Sequence, residues 1–120
     1  MEEEFMIEFF QAKEVLEKNQ EAVIVFTHGK HFYHDAGGNG YTGNWVLDRA
    51  TLEEVGKVIV YFREEGEIIN RIFLGDYVGV RKSDIPDRYI IRFSGLKEVG
   101  TSKSNWLEFA SGGQNPISYV

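Results

Sequence analysis

Residues 57–74 read KVIVYFREEGEIINRIFL, and from this stretch onward the chain is strongly β in character. Its first seven residues, Lys57–Arg63, are mostly β-branched or aromatic, which predicts a strand. The charged residues 64–67, with Gly66 among them, predict a turn, and Ile68–Leu74 predicts a second strand. Gly75 and Asp76 then indicate a bend or bulge leading into a strand over Tyr77–Arg81. The middle of the chain is therefore predicted to be a β-sheet.

The flanking sequence adds strands on both sides and helices at the ends. Ala22–Thr27 is a continuous apolar run typical of a strand buried on both faces. We predict a helix over residues 5–18, where apolar residues recur at helical spacing, and Gly56 is predicted to end a short helix capped by Asp48 or Thr51. Downstream we predict a loop at Ser83–Asp87, a strand over Arg88–Ser94 that Leu96–Val99 continues, a helical turn from Ser104 to Phe109, and a last strand at Ile117–Val120.

These elements predict one α+β domain over residues 1–120, with flanking helices and a small curled or barrel-like mixed β-sheet. The chain is long enough for one core, and its hydrophobic content of 42% is that of a globular protein. No apolar run is long enough to cross a membrane, the amino terminus is acidic, and cysteine is absent. We therefore expect a cytoplasmic protein without disulfides or a membrane partner.

The net charge of −6 argues against a protein that coats a polyanion, but the charge is unevenly distributed. Residues 57–103 carry nine Lys and Arg against seven Asp and Glu, whereas residues 1–56 carry four against eleven. A weak local basic patch is expected in the strand-rich middle, which carries Arg63, Arg71, Arg81, Lys82, Arg88, Arg92, Lys97 and Lys103. Such a patch would make only a few phosphate contacts.

The segment GGNGYTGNW, residues 37–45, places Tyr41 and Trp45 in a flexible polar stretch. Trp106 stands in a similar setting beside Asn105. An aromatic face next to hydrogen-bonding amides suits a flat ligand such as a nucleobase, and the indole N–H needs a partner. The alternative is that each Trp closes one end of the sheet.

Catalytic patterns are weak. His28, His31 and His34 stand three residues apart, a spacing that does not bring all three together in a strand or in a helix. The glycine-rich segment lacks the Lys-Ser/Thr of a P-loop, and no serine lies in a nucleophile elbow. We expect no metal, no cofactor and no enzymatic activity, with a small metal-dependent nuclease built on the three histidines as the third hypothesis.

The order of the pieces resembles the PUA-like superfamily, particularly its YTH and EVE branches. The pieces that carry the resemblance span about residues 22–118: the first strand, the Thr42–Trp45 segment, Leu52–Val55, Val58–Phe62, Ile72–Val80, Tyr89–Ser94 and Gln114–Ile117. The chain departs from that pattern in its acidity and in a short loop where YTH readers carry a second cage aromatic. Trp106 or Tyr41 is the candidate for that second wall.

The resemblance implies a module that binds RNA or modified DNA and places a base in an aromatic pocket. It implies that Trp45 stacks on the base, that Thr42 and Asn44 meet its edge, and that Arg81 and Lys82 face phosphate. The leading hypothesis is a reader of a base, methylated or otherwise modified, in single-stranded or flipped nucleic acid. One setting is the DNA-recognition domain of a modification-dependent restriction system, within a larger multidomain or multisubunit assembly. The main alternative is a protein-interaction or regulatory domain whose acidic half meets a basic partner.

Overall fold

A computed structural model describes residues 7–111 and 116–120, and these form a seven-stranded sheet with few helices. A 3₁₀ helix covers Ala12–Val15. The strands are β1 Ala22–Thr27, β2 Phe32–His34, β3 Gly40–Trp45, β4 Lys57–Phe62, β5 Asn70–Lys82, β6 Tyr89–Ser102 and β7 Ile117–Tyr119. The α-helices are α1 Arg49–Leu52 and α2 Trp106–Ala110. The predicted α+β class is confirmed.

The strand order is β2-β3-β6-β5-β4-β1-β7. Only β1 and β4 pair in parallel, and the other neighbours are antiparallel. The parallel pair arises because the chain leaves β1, forms β2, β3 and α1, and returns to start β4 at the same end. The sheet is therefore mixed, as predicted, and mostly antiparallel.

Both faces of the central strands are buried, which explains why β1 and β4 read as continuous apolar runs. Ile24 and Ile59 belong to a first core cluster with Phe109 of α2. Val25 and Val60 belong to a second cluster on the opposite face. The predicted burial of Ala22–Thr27 on both sides is confirmed.

The sheet curls but is not closed as a barrel. Trp45 of β3 and Tyr119 of β7 line one cleft although four strands separate β3 from β7 in the sheet. Within the described residues β2 and β7 end the ladder and do not pair with each other. The predicted barrel-like closure is wrong, because the described ends of the sheet do not pair and leave a cleft in the seam between them.

The predicted helix over residues 5–18 is also wrong in its described part. Ile7 and Phe9 run alongside β6, where the Thr101 amide donates to the Ile7 carbonyl and the Phe9 amide donates to the Thr101 carbonyl, both at 2.8 Å. Phe9 and Ala12 enter the first cluster from this extended segment and the single 3₁₀ turn. Tertiary pairing with β6 has replaced the local helical preference.

Other differences concern boundaries. The two strands predicted around Gly75 and Asp76 form one strand, β5, with the predicted irregularity present as a register shift between Leu74 and Asp76. β6 continues through Gly95 as predicted. Asp48 is the cap of α1, with its carboxylate accepting from the Ala50 and Thr51 amides. The cap of α2 is Asn105 and not the predicted Ser104.

Candidate functional site

Trp45 stands at the end of β3, in the seam that the sheet leaves open. Its ring is half-buried, and its Nε1–H donates to the Thr42 hydroxyl at 3.3 Å. Thr42 is fully buried beneath it. The register between β3 and β6 shifts between Thr42 and Trp45, which allows the two side chains to meet. Thr42 thus positions the indole.

Two adjacent clefts share Trp45. The seam cleft, of about 580 Å³, lies towards β7 and is lined by Trp45, Val46, Leu47, Asp48, Arg88, Pro116, Ile117 and Tyr119. The Tyr119 hydroxyl accepts from the Asp48 amide at 3.0 Å across the seam. Burial raises the pKa of the Tyr119 phenol above its usual range, which keeps this group neutral.

The loop cleft, of about 670 Å³, lies on the other side, at the carboxyl end of β1. It is lined by Phe26, Thr27, His28, Lys30, His31, Gly43, Asn44, Trp45, Ile85, Arg88 and Pro116. Both volumes fall within the range of about 300–1,000 Å³ that small-ligand sites occupy. Trp45 therefore borders two clefts, each of the size that small ligands occupy.

The loop cleft is basic. Lys30 and Arg88 line it together with two histidines, and no Asp or Glu is among its lining residues. None of the ion pairs between described residues includes Lys30 or Arg88, whereas Lys57, Arg71 and Lys103 each hold a carboxylate. Among the described residues neither cation has a carboxylate partner, and Arg88 donates instead to a backbone carbonyl.

The loop that carries Lys30 has a defined shape. The Thr27 hydroxyl accepts from the Gly29 amide at 2.9 Å and donates to the Lys30 carbonyl at 3.4 Å. Gly29 has a φ of +104°, a conformation that side chains rarely adopt. The turn follows from these local contacts and brings Lys30 back over the end of β1.

Asn44 is held from both ends. Its side-chain oxygen accepts a short hydrogen bond from the Ser83 hydroxyl, and its carbonyl accepts from Arg88 Nη1 at 3.2 Å. The Ser83 hydroxyl in turn accepts from the Ile85 amide at 3.0 Å. The side-chain oxygen thus already accepts one hydrogen bond, and the NH₂ group of Asn44 is a donor that could meet an acceptor in the cleft.

Tyr41 and Arg81 meet in a further cleft next to the β5–β6 turn, the turn cleft, of about 310 Å³. It is lined by His31, Tyr41, Gly43, Asn44, Arg81, Ser83, Asp84, Ile85 and Ile90. Lys82 is exposed and is not among these residues. In the sheet β6 lies between β3 and β5, and Val58 and Val60 of β4 are buried in the core.

Trp106 lies elsewhere. It is 6% exposed, stacks on Phe26 with ring centroids 5.3 Å apart, and meets the edge of Tyr61 at 5.4 Å. It belongs to the first core cluster, whereas Trp45 packs against the second. The structure therefore does not bring Trp106 to Trp45 as a second wall; Phe26 and Trp45 both line the loop cleft.

The three histidines separate. His28 and His31 line the loop cleft, while the ring of His34 lies 5.4 Å from Phe32 and 6.0 Å from Phe73. In the described part of the chain, no group of three or more His, Cys, Asp or Glu side chains is arranged to hold a metal ion. The candidate nuclease site is not assembled by these residues.

Sequence reasoning did not assign Lys30 and Arg88 to the site. Lys30 follows a buried strand within the polar run Thr27–His31, and loops at strand ends commonly carry binding residues. The position of Lys30 directly after a buried strand was therefore enough to suggest it as a binding residue. The sequence around Arg88 offered no such indication, because the position of Arg88 beside Asn44 depends on the pairing of β3 with β6.

No family model, no curated protein and no solved structure matches the chain. Among the described residues, no helix combines the length and the apolar character needed to span a membrane.

Proposed function

We propose that this chain is a non-enzymatic nucleic-acid-binding module that receives a base against Trp45. The observation that carries the proposal is the loop cleft, in which an aromatic ring, an amide and unpaired cations converge without a carboxylate. Stacking on an aromatic side chain and hydrogen bonds to the base edge are how proteins hold an unpaired base. Cations around that site suit the adjoining phosphates.

Each residue has a separate role in the proposal. Trp45 stacks on the base, and the NH₂ group of Asn44 donates to an acceptor on its edge. Thr42 acts through Trp45, since its hydroxyl is taken up by the indole. Lys30 and Arg88 contact phosphate, and Arg81 extends that contact in the turn cleft.

The resemblance to PUA-like readers is consistent with this proposal and adds a modified base to it. A methyl group would gain apolar contact with Trp45 and Phe26, the two rings that line the loop cleft. In a duplex the base would first have to leave the stack, at a cost of a few kcal/mol, so a single strand should bind more tightly than the same sequence in a duplex.

The test is a binding screen with single-stranded DNA and RNA oligonucleotides, with and without base methylation, using wild type and Trp45→Ala. Loss of the stacking ring should weaken binding about 5- to 150-fold, which corresponds to about 1–3 kcal/mol per base. Val46→Ala is the matched control, because this neighbouring side chain is 65% exposed and lines only the seam cleft.

Equal affinity of wild type and Trp45→Ala for every oligonucleotide would contradict the proposal. If wild type binds no oligonucleotide at all, the protein-interaction hypothesis takes its place.

A further inference from the structure

One part of the sheet presents an aromatic and basic surface to solvent. We call it the platform and define it as Tyr33, Tyr41, Arg81 and Arg92. The neighbours of these residues in sequence, Phe32, Ile91 and Phe93, belong to the second core cluster. Since side chains alternate along a strand, the four platform residues point to the other side of the sheet.

The register sets these residues in a row. Tyr33 of β2 lies opposite Tyr41 of β3, and Tyr41 lies opposite Arg92 of β6. The two tyrosine rings are 5.8 Å apart and inclined at 35°. Arg92 lies opposite Gly79 of β5, where there is no side chain to cover it. Three strands thus place two rings and a guanidinium side by side.

The platform is open. Tyr33 is 54% and Tyr41 is 38% exposed, and both arginines are exposed. The described helices pack elsewhere, α2 in the first cluster and Leu52 of α1 in the second. Large exposed aromatic side chains that pair with each other and not with the core indicate a binding surface.

The charge of the platform is also unpaired. No ion pair between described residues includes Arg81 or Arg92. Arg71, on the same strand as Arg81, makes a bidentate contact with Glu98. An arginine of this sheet can therefore have a carboxylate partner, which the platform arginines lack among the described residues. The surface suits a ligand that offers both flat rings and negative charge.

The platform is continuous with the proposed site. A groove lies over the platform, and we call it the platform groove. Tyr41 and Arg81 line both this groove and the turn cleft. His31, Asn44 and Ile85 line both the turn cleft and the loop cleft. A chain molecule could therefore pass from Trp45 to Tyr33 without leaving the surface of the protein.

We propose that the platform binds the nucleotides that flank the base held by Trp45, so that the ligand is a single-stranded polynucleotide several residues long. This inference rests on the proposed function. Tyr41 and Trp45 both lie on β3, on either side of the register shift between Thr42 and Trp45, and they are separate stacking sites. A mononucleotide reaches only one of them.

The experiment measures affinity as a function of length. Unlabelled deoxyuridine and uridine oligonucleotides of one, three, five and eight nucleotides compete with a fluorescein-labelled eight-nucleotide probe, observed by anisotropy. For wild type, affinity should rise steeply with length, because a single nucleotide cannot occupy both stacking sites. Comparison of the DNA and RNA series identifies which sugar the site prefers.

The variants are Tyr41→Ala, Tyr33→Ala and Arg92→Ala, with Lys97→Ala as the matched control. Lys97 lies on β6 like Arg92, is exposed, and lines neither the platform groove nor the clefts around Trp45. Each tyrosine variant should weaken binding of the eight-nucleotide ligand about 5- to 150-fold and leave mononucleotide binding within about twofold. Arg92→Ala should lower the slope of log affinity against log salt by about 0.7, and Lys97→Ala should not.

Tyr33→Phe keeps the ring and should restore wild-type affinity, which separates stacking from a folding defect. If the platform variants bind the eight-nucleotide ligand like wild type while Trp45→Ala does not, the platform is refuted and the proposed function stands. A duplex bound as tightly as the single strand, or no binding of any oligonucleotide by wild type, overturns the platform as well.

Discussion

The contrast between the two tryptophans gives the sharpest prediction about this fold. Trp106→Ala removes a ring that is 6% exposed and packed between Phe26 and Tyr61. Replacing a buried Trp with Ala lowers the free energy of unfolding by about 3–5 kcal/mol, because buried apolar surface is lost and a cavity remains. The free energy of unfolding of a domain is about 5–15 kcal/mol in total, so this substitution removes a large share of it.

Trp45→Ala should cost much less. The ring is only half-buried, and its one hydrogen bond joins it to Thr42. We expect about 1–2 kcal/mol, mostly for the Thr42 hydroxyl that loses its buried partner. The melting temperature should fall by roughly 10–25 °C for Trp106→Ala and by a few degrees for Trp45→Ala.

The assay is urea unfolding followed by far-ultraviolet circular dichroism, since each variant removes one of the two tryptophan fluorophores. Trp106→Phe is the control, because a phenyl ring retains part of the contact with Phe26 and should give an intermediate midpoint. If Trp106→Ala unfolds at the wild-type midpoint, or at a higher urea concentration than Trp45→Ala, the placement of the two rings is refuted.

Three further predictions test local geometry. Gly40→Ala should destabilise the β2–β3 hairpin and speed hydrogen exchange of its amides, because a Cβ there would lie 1.9 Å from a backbone oxygen of β2; Gly56→Ala, with open space around it, should be neutral. Arg81→Ala should flatten the salt dependence of oligonucleotide binding by about 0.7–0.9 in log–log slope, and Lys82→Ala, outside the turn cleft, should leave that slope unchanged. Burial raises the pKa of the Tyr61 phenol above its ordinary value of 10.0, so its contribution to stability is complete below pH 10 and is lost as the pH rises through the folded-state pKa. Tyr61→Phe should therefore lower the free energy of unfolding at pH 7 by about 0.5–1.5 kcal/mol. Above pH 10 the free energy of unfolding should fall less steeply in this variant than in wild type, measured by urea unfolding at a series of pH values.

The sequence by itself determined the central strands. Ala22–Thr27 and Lys57–Phe62 are strands at the predicted positions, because a short β-branched apolar run can satisfy its backbone and bury both faces only inside a sheet. The sequence also determined that Trp45 lies beside a polar, glycine-rich segment, and this was enough to identify it as a candidate ligand contact.

The conformation of residues 7–9, the exposure of the two tryptophans and the grouping of the cations depend on tertiary structure. Residues 7–9 lie alongside β6 and do not form a helix, since pairing with Thr101 and burial of Phe9 outweigh a weak helical pattern. Trp45 and Trp106 have similar neighbours in sequence, so no local signal could show that only one would face a cleft. That difference arises because the sheet curls, bringing the ends of β1, β3 and β7 together around Trp45, while α2 places Trp106 against the opposite face. The cations at the cleft, Lys30 and Arg88, come together for the same reason, because the pairing of distant strands sets which loop ends meet.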